Sequence, residues 1–254
     1  MNLLNEITSN FNFFIIIFLI FTFFISGLIQ GFLGLGFPSS AMGLLTFVIE
    51  PVHAISVMVA PIIFTNIAQF TRAPNPMRTM NEFKFFALFI IMSIFSTSMF
   101  ITFYPTQVLT VAIGFAMIAF SLNQLYGVKI SIGPSYFWHV VVGIISGVLG
   151  GLSSIWSPPV AMYLIARNYD KDQFISATGF LFMVGGLPLG LGLYFAGVLT
   201  YLVVLQSIIA LIFVLIGFRI GEILRKFVSQ KIFRNCVLIS FLIMGSRLIY
   251  EGFF

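Results

Sequence analysis

Two stretches of small and hydroxyl-bearing residues carry most of the chemistry this sequence can offer. In the first, Gly34, Gly36 and Phe37 lead into Pro38, Ser39 and Ser40; in the second, Gly150, Gly151, Ser153, Ser154 and Trp156 lead into Ser157 and Pro158. Each is followed by an apolar segment, 38–49 or 158–166, too short to cross about 30 Å of hydrocarbon at ~1.5 Å per residue. Proline is favoured in the first turn of a helix, so each stretch reads as the start of a half-helix inside a membrane. Such a start turns unsatisfied N–H groups and a positive dipole end toward a low-dielectric space, where they can replace part of an anion's hydration shell without Lys or Arg. Serine hydroxyls add rotatable donors, and missing glycine side chains let a ligand reach the backbone. Candidate anion-binding residues are therefore Gly36, Phe37, Ser39, Ser40, Ser153, Ser154, Trp156 and Ser157.

The third crossing adds Pro61, Thr65, Asn66 and Gln69, a high polar density for lipid. Asn66 and Gln69 lie at i and i+3, on one helical face, and join the candidate set; interhelical hydrogen bonding is the competing reading. The matching stretch of the second half, 185–188, holds two glycines and Pro188 and could unwind to expose carbonyls. Carbonyls and amides can coordinate Na⁺, so Na⁺ or H⁺ is left open as coupling ion, and no other cofactor is expected. For Gly27, Gly31, Gly143 and Gly147, spaced as small-xxx-small faces, close helix packing is the favoured role.

These residues sit in a chain built for lipid. Of 254 residues 60% are hydrophobic and 7% charged, whereas soluble domains carry roughly a quarter charged. The mean hydropathy of +1.12 is incompatible with a water-covered surface, so the chain is an integral membrane protein with no separate soluble domain. Phe, Leu, Ile and Val dominate without alternation, which favours helices over a barrel. Apolar runs fall at 11–35, 38–49, 53–71, 83–103, 106–126, 136–152, 158–166, 173–196, 201–224 and 232–252. The first run lacks a basic flank and a cleavage signal, and reads as a helix. The single cysteine, Cys236, excludes a disulfide framework, and no cluster of His, Cys or Asp suits a metal.

The pI of about 9.5 comes from connections between spans and needs no nucleic acid. If the ten segments alternate and the 72–84 connection is cytoplasmic, Arg72, Arg78, Lys84, Lys129, Arg167, Lys171, Arg219, Arg225, Lys226, Lys231 and Arg234 fall inside, and only Arg247 does not. Connections near Glu50, Pro105, Ser154 and Gly197 carry no Lys or Arg. The positive-inside rule then puts both termini outside and counts both short segments as crossings. Arg219, Glu222 and Arg225 read as an ion pair or a snorkelling set near the inner end of their helix, and Arg247 as a partner of Glu251. His53 and His139 stand at span ends as interfacial residues, Tyr136 and Trp138 as aromatic anchors. With no mid-span Asp or Glu, a carboxylate proton relay has no candidate.

The halves resemble each other. Gly27, Gly31 and Gly34 match Gly143, Gly147 and Gly150 at an offset of 116; after a four-residue insertion, Pro38, Ala41 and Met42 match Pro158, Ala161 and Met162. Five crossings per half, an odd number, require inverted orientation, with repeats at 1–128 and 129–254. Inverted repeats with broken helices point to a secondary transporter whose site lies where the half-helices meet.

Segments 27–42 and 143–162 together resemble the paired signature of the sulfite exporter TauE/SafE-like family: a helix with spaced glycines, a Gly-rich turn, a Pro and a short helix, once per half. The consecutive glycines usual in those turns are thinned here to Gly34-Leu35-Gly36-Phe37 and Gly150-Gly151-Leu152-Ser153-Ser154. The resemblance implies a small carrier for sulfur-containing or organic anions such as sulfite, sulfonates or carboxylates. The expectation is thus an all-α integral membrane protein of about ten crossings in two inverted five-helix repeats, each with a short half-helix after a Gly-rich turn. It would bind a small anionic substrate between the two half-helix N-termini and expose it alternately. An anion channel with a Gly-lined pore is the alternative. An intramembrane enzyme is disfavoured, since His139 precedes Ser153 by about 20 Å of helix at ~1.5 Å per residue and no other base is close.

Overall fold

The computed structural model describes residues 13–73, 75–126, 135–225, 227 and 230–253. Among them the chain is helical, with no strand. Helix α1 (Phe13–Leu33) leads through a turn to the short α2 (Phe37–Leu45), followed by α3 (Pro51–Val57), α4 (Val59–Thr71), α5 (Pro76–Met99) and α6 (Thr106–Tyr126). Then come α7 (Tyr136–Ser153), the short α8 (Ser157–Ala166), α9 (Lys171–Phe195), α10 (Tyr201–Leu224) and α11 (Gln230–Phe253). Seven helices, α1, α5, α6, α7, α9, α10 and α11, are long and apolar enough to cross a membrane, and α3 with α4 qualify as a pair bent by 41°. The boundary between the expected repeats, Lys129 and Lys226 all lie outside the described residues.

The helices are held by close backbone approach. Lipid tails are as apolar as leucine, so helices associate through van der Waals contact where side chains are small. A Cβ at Gly27 or Gly31 would collide with the backbone of Val214 or Phe218 on α10, and one at Gly217 or Gly221 with Phe24 or Leu28 on α1. Helix α7 lies on α5 in the same way: Gly143, Gly147 and Gly151 face the stretch from Phe86 to Thr97. Gly114 of α6 and Gly245 of α11 sit on each other's carbonyl, at 2.7 and 2.8 Å from a Cβ. Packing is thus the role of Gly27, Gly31, Gly143 and Gly147.

The expected single span at 53–71 is broken. Pro61 lacks an amide and its ring crowds the carbonyl four residues back, that of Val57, where α3 ends. Across the break, the amide of Ala60 donates to Ser207 Oγ of α10 at 3.0 Å. The reverse holds in the second half: the expected unwinding at 185–188 does not occur, and α9 runs through Pro188 as one helix. Gly185, Gly186 and Gly190 let Trp156, Ile63 and Val59 approach α9 closely, which supports the helix on both sides of the proline. Helix α5 begins at Pro76, seven residues before the apolar run, so Arg78, Glu82 and Lys84 lie within it.

Several polar contacts gather at one end of the bundle. Glu222 of α10 binds Arg72, just past α4, at 2.6 Å and Arg219 at 2.9 Å. Tyr169, between α8 and α9, donates to Glu82; burial and the neighbouring carboxylate push its phenol pKa up, so it remains a donor. Apart from this group, Arg247 pairs with Glu251 at 2.7 Å and lies 3.6 Å over the ring of Phe47. Both expected ion pairs form.

Gly31→Ala is predicted to lower stability by about 1–3 kcal/mol through overpacking against α10. Gly190→Ala should cost less, because its Cβ would meet only Val59 Cγ1, at 3.0 Å. Thermal midpoints of the purified variants in detergent test this order.

Candidate functional site

Both short helices start at buried turns. After α1, Gly34 takes a left-handed conformation (φ +83) and its amide donates to the carbonyl of Gln30 at 2.7 Å. Gly36 (φ +102) then forms the N-cap of α2, with Pro38 in the first turn and no side-chain cap. After α7, Ser154 takes the left-handed position (φ 58), its amide bonded to the carbonyl of Gly150 at 2.8 Å. Trp156 is the N-cap of α8, again with no side-chain cap. Helices α7, α9 and α10 differ: Ser135, Asp170 and Thr200 cap their first turns by side-chain hydrogen bonds. A helix cannot satisfy its own first amides. Pro38 removes one of these in α2, leaving Phe37 and Ser39; Pro158 and Pro159 remove two in α8. The second start is therefore poorer in backbone donors and relies on side chains.

Every one of the ten candidate residues is buried, but their hydrogen-bonding capacity divides sharply. Ser40 Oγ donates back to the carbonyls of Gly36 and Phe37 at 2.9 and 3.0 Å. Ser153 Oγ donates to Leu149 at 2.6 Å and accepts from the Ile155 amide at 3.1 Å. These two hydroxyls hold the turns. Ser39 Oγ, Ser154 Oγ, Ser157 Oγ and Trp156 Nε1, by contrast, are buried without any partner. Phe37 is core, and Gly36 serves the turn. The Trp156 indole fills a slot made by absent side chains: a Cβ at Gly150 would lie 2.9 Å from it and one at Gly185 3.1 Å, with Phe182 edge-on at 5.9 Å. The α2 start is bordered instead by Ile29 and Phe241.

Asn66 and Gln69 belong to a different group. Asn66 Nδ2 donates to the Ile62 carbonyl at 2.7 Å, and its Oδ1 accepts from Gln30 Nε2 at 3.4 Å. Gln69 Nε2 donates to the Ile175 carbonyl at 3.2 Å and to Thr178 Oγ1 at 3.3 Å. The interhelical hydrogen bonds weighed for this pair, and favoured for Gln30, are present.

A cavity of about 220 Å³ opens beside the first turn, lined by Gln30, Gly34, Gln69, Arg72, Asp172, Glu222 and Arg225 among others. Arg225 was read from sequence as part of a snorkelling set. It instead reaches into the protein: Nε donates to the Phe32 carbonyl at 2.7 Å and Nη2 to that of Gly31 at 2.8 Å. A cation on the last carbonyls of α1 offsets the negative end of its dipole. The acceptors lie 193 and 194 positions away, so only its place at a span end beside a helix terminus hinted at the role. His139, at the end of its span as expected, is buried between helices. Its Nε2 is 2.8 Å from the Tyr163 hydroxyl and its ring stacks on Phe86 at 5.5 Å, docking α8 onto α7 and α5. Among the described residues no group of His, Cys, Asp or Glu could hold a metal by its side chains alone.

Arg225→Ala is predicted to cost about 1.5–3 kcal/mol, the range for a charged hydrogen bond, because it uncaps α1. Arg219→Ala, which breaks an exposed pair, should cost under about 1 kcal/mol. Thermal unfolding of the two variants side by side checks the contrast.

A family model described as Sulfite exporter TauE/SafE matches residues 19–248. No curated protein and no solved structure matches the chain.

Proposed function

The chain belongs to the sulfite exporter TauE/SafE family, and from that premise we propose that it is a secondary carrier of a small sulfur-containing or organic oxyanion, of the sulfite, sulfonate or carboxylate class. The anion is held by donors at the starts of α2 and α8. One observation carries this reading: four buried donor groups, Ser39 Oγ, Ser154 Oγ, Ser157 Oγ and Trp156 Nε1, lie unpartnered at those starts. An unsatisfied buried donor costs about 1–3 kcal/mol, and an anion supplies the missing acceptors. An indole N–H can only donate, which selects against a cation there.

Two inverted repeats, each with a long helix, a short one and three further crossings, give one site two related access states. The packing supports this arrangement: the first helix of each half lies on the fourth crossing of the other, α1 on α10 and α7 on α5, and the fifth crossings, α6 and α11, lie on each other. The contact of Arg72 with Glu222 supports grouping the basic connections on the cytoplasmic side of the cell membrane, with both termini outside and ten crossings in all. The channel alternative draws less support, because the glycines of α1, α6, α7 and α9–α11 contact neighbouring helices and line no open path. Catalysis lacks a base: His139 engages Tyr163 and Ser153 engages Leu149.

Reconstituted into liposomes, the protein is expected to give saturable sulfite flux and counterflow. Trp156→Phe and Ser39→Ala should each raise the half-saturation concentration by about tenfold, equivalent to about 1.4 kcal/mol. The thermal midpoint should be unchanged or higher for Ser39→Ala, which removes a partnerless buried hydroxyl, and lower for Trp156→Phe, which leaves a cavity in the indole slot. Non-saturating flux would favour a channel. Unaltered half-saturation in both variants would remove these donors from the site.

A further inference from the structure

The cavity beside the first turn has the opposite polarity from the anion donors. Gln30 Oε1 and Gln69 Oε1 are both buried and both without a partner, on residues 2% and 7% exposed that line the same cavity. Their orientation is not arbitrary. A backbone carbonyl can only accept, so the Ile62 carbonyl fixes the amide of Asn66 with nitrogen toward it and oxygen toward Gln30. Gln30 must then present its nitrogen to Asn66, which leaves its oxygen over. The Ile175 carbonyl fixes Gln69 in the same sense. Two amide oxygens are thus set by the fold to accept from something the chain does not provide. Both flank Asn66, one through a hydrogen bond and the other one helical turn along α4.

The charges lining the cavity balance, Arg72 and Arg225 against Asp172 and Glu222. Glu222 is taken up by Arg72 and Arg219, which leaves the Asp172 carboxylate on the lining. The arginines present are already committed: Arg72 to Glu222, and Arg225 to the carbonyls of Gly31 and Phe32. The two glutamine oxygens can only accept, so an oxyanion placed against them finds no donor in them. A hard cation takes oxygen ligands, and carbonyl-type oxygens suit a partly dehydrated alkali ion.

We propose that Gln30 and Gln69, with Asp172, form a monovalent-cation site for Na⁺, distinct from the donor groups at the starts of α2 and α8. Its role as a coupling site rests on the carrier reading; the binding itself does not. Gln69 and Asn66 thereby move from anion ligands to a cation ligand and the residue that orients one.

The test compares thermal midpoints of the purified protein in NaCl, KCl and choline chloride at one ionic strength. A ligand bound to the folded state alone raises stability with its concentration. Na⁺ is expected to give a saturable rise that choline does not. Gln30→Leu and Gln69→Leu should each shift the half-saturating Na⁺ concentration up by about tenfold or abolish the rise; about tenfold is one lost ligand of ~1.4 kcal/mol. Asp172→Asn, an exposed change, should weaken the response with the fold intact and serves if the glutamine variants fail to fold. Equal midpoints in the three salts, or an undiminished Na⁺ response in the variants that fold, would overturn the site. A parallel arm adds choline sulfite without Na⁺. Stabilisation there with none by Na⁺ overturns the cation site and leaves the anion reading standing. Stabilisation by Na⁺ with none by sulfite, in either salt, does the reverse.

Discussion

Within hydrocarbon no water is available to a backbone N–H or C=O, so every such group must find its partner in the protein. A continuous helix meets this requirement by itself. Among the described residues the helical path is interrupted at buried turns after α1 and after α7, as well as at the bend between α3 and α4, and each turn leaves a helix end inside the bundle. Where those ends find partners decides the rest of the structure. The C-terminal carbonyls of α1 are met by Arg225 and by the amide of Gly34, and the turn after α7 is closed by Ser153 and Ser154. The N-terminal ends of α2 and α8 receive no side-chain cap. They are the open part of the arrangement.

Two groups of leftover polar atoms differ in kind. At the α2 and α8 starts they are hydroxyls and an indole nitrogen; beside Gly34 they are amide oxygens, their orientation enforced by the Ile62 and Ile175 carbonyls. The two proposed ligands, an oxyanion and a cation, follow from that difference.

Much of this was legible in the sequence, for reasons that differ by element. Helices at 106–126 and 201–224 have the boundaries the apolar runs set, because hydropathy and span length leave no other solution. The short helices were visible from Pro38 and Pro158 and from their length. Pro61 and Pro188 were visible too, yet only the first breaks its helix. The difference lies in packing: Ser207 receives the Ala60 amide at one, while glycines bring α9 against its neighbours at the other. Neither partner is near in sequence. Among the candidate residues, the turns and their burial could be foreseen, but not which hydroxyls are spent. Ser40 and Ser39 are adjacent and chemically identical, and only the geometry of the turn separates them. The places of Arg225 and His139 at span ends were legible, but not their partners, the carbonyls of α1 for Arg225 and the Tyr163 hydroxyl of α8 for His139.

The two halves are similar without being equal. Gly36, which caps α2, holds the place that Trp156 holds before α8, and α3 and α4 are bent by 41° where α9 runs as one helix through Pro188. Identical halves would make the two alternating conformations equivalent by a two-fold rotation, with equal free energy. A bulky indole on one side and bare backbone on the other remove that degeneracy. Transport would then rectify kinetically: the apparent affinities at the two membrane faces would differ even though the gradient alone still sets the direction of net flow.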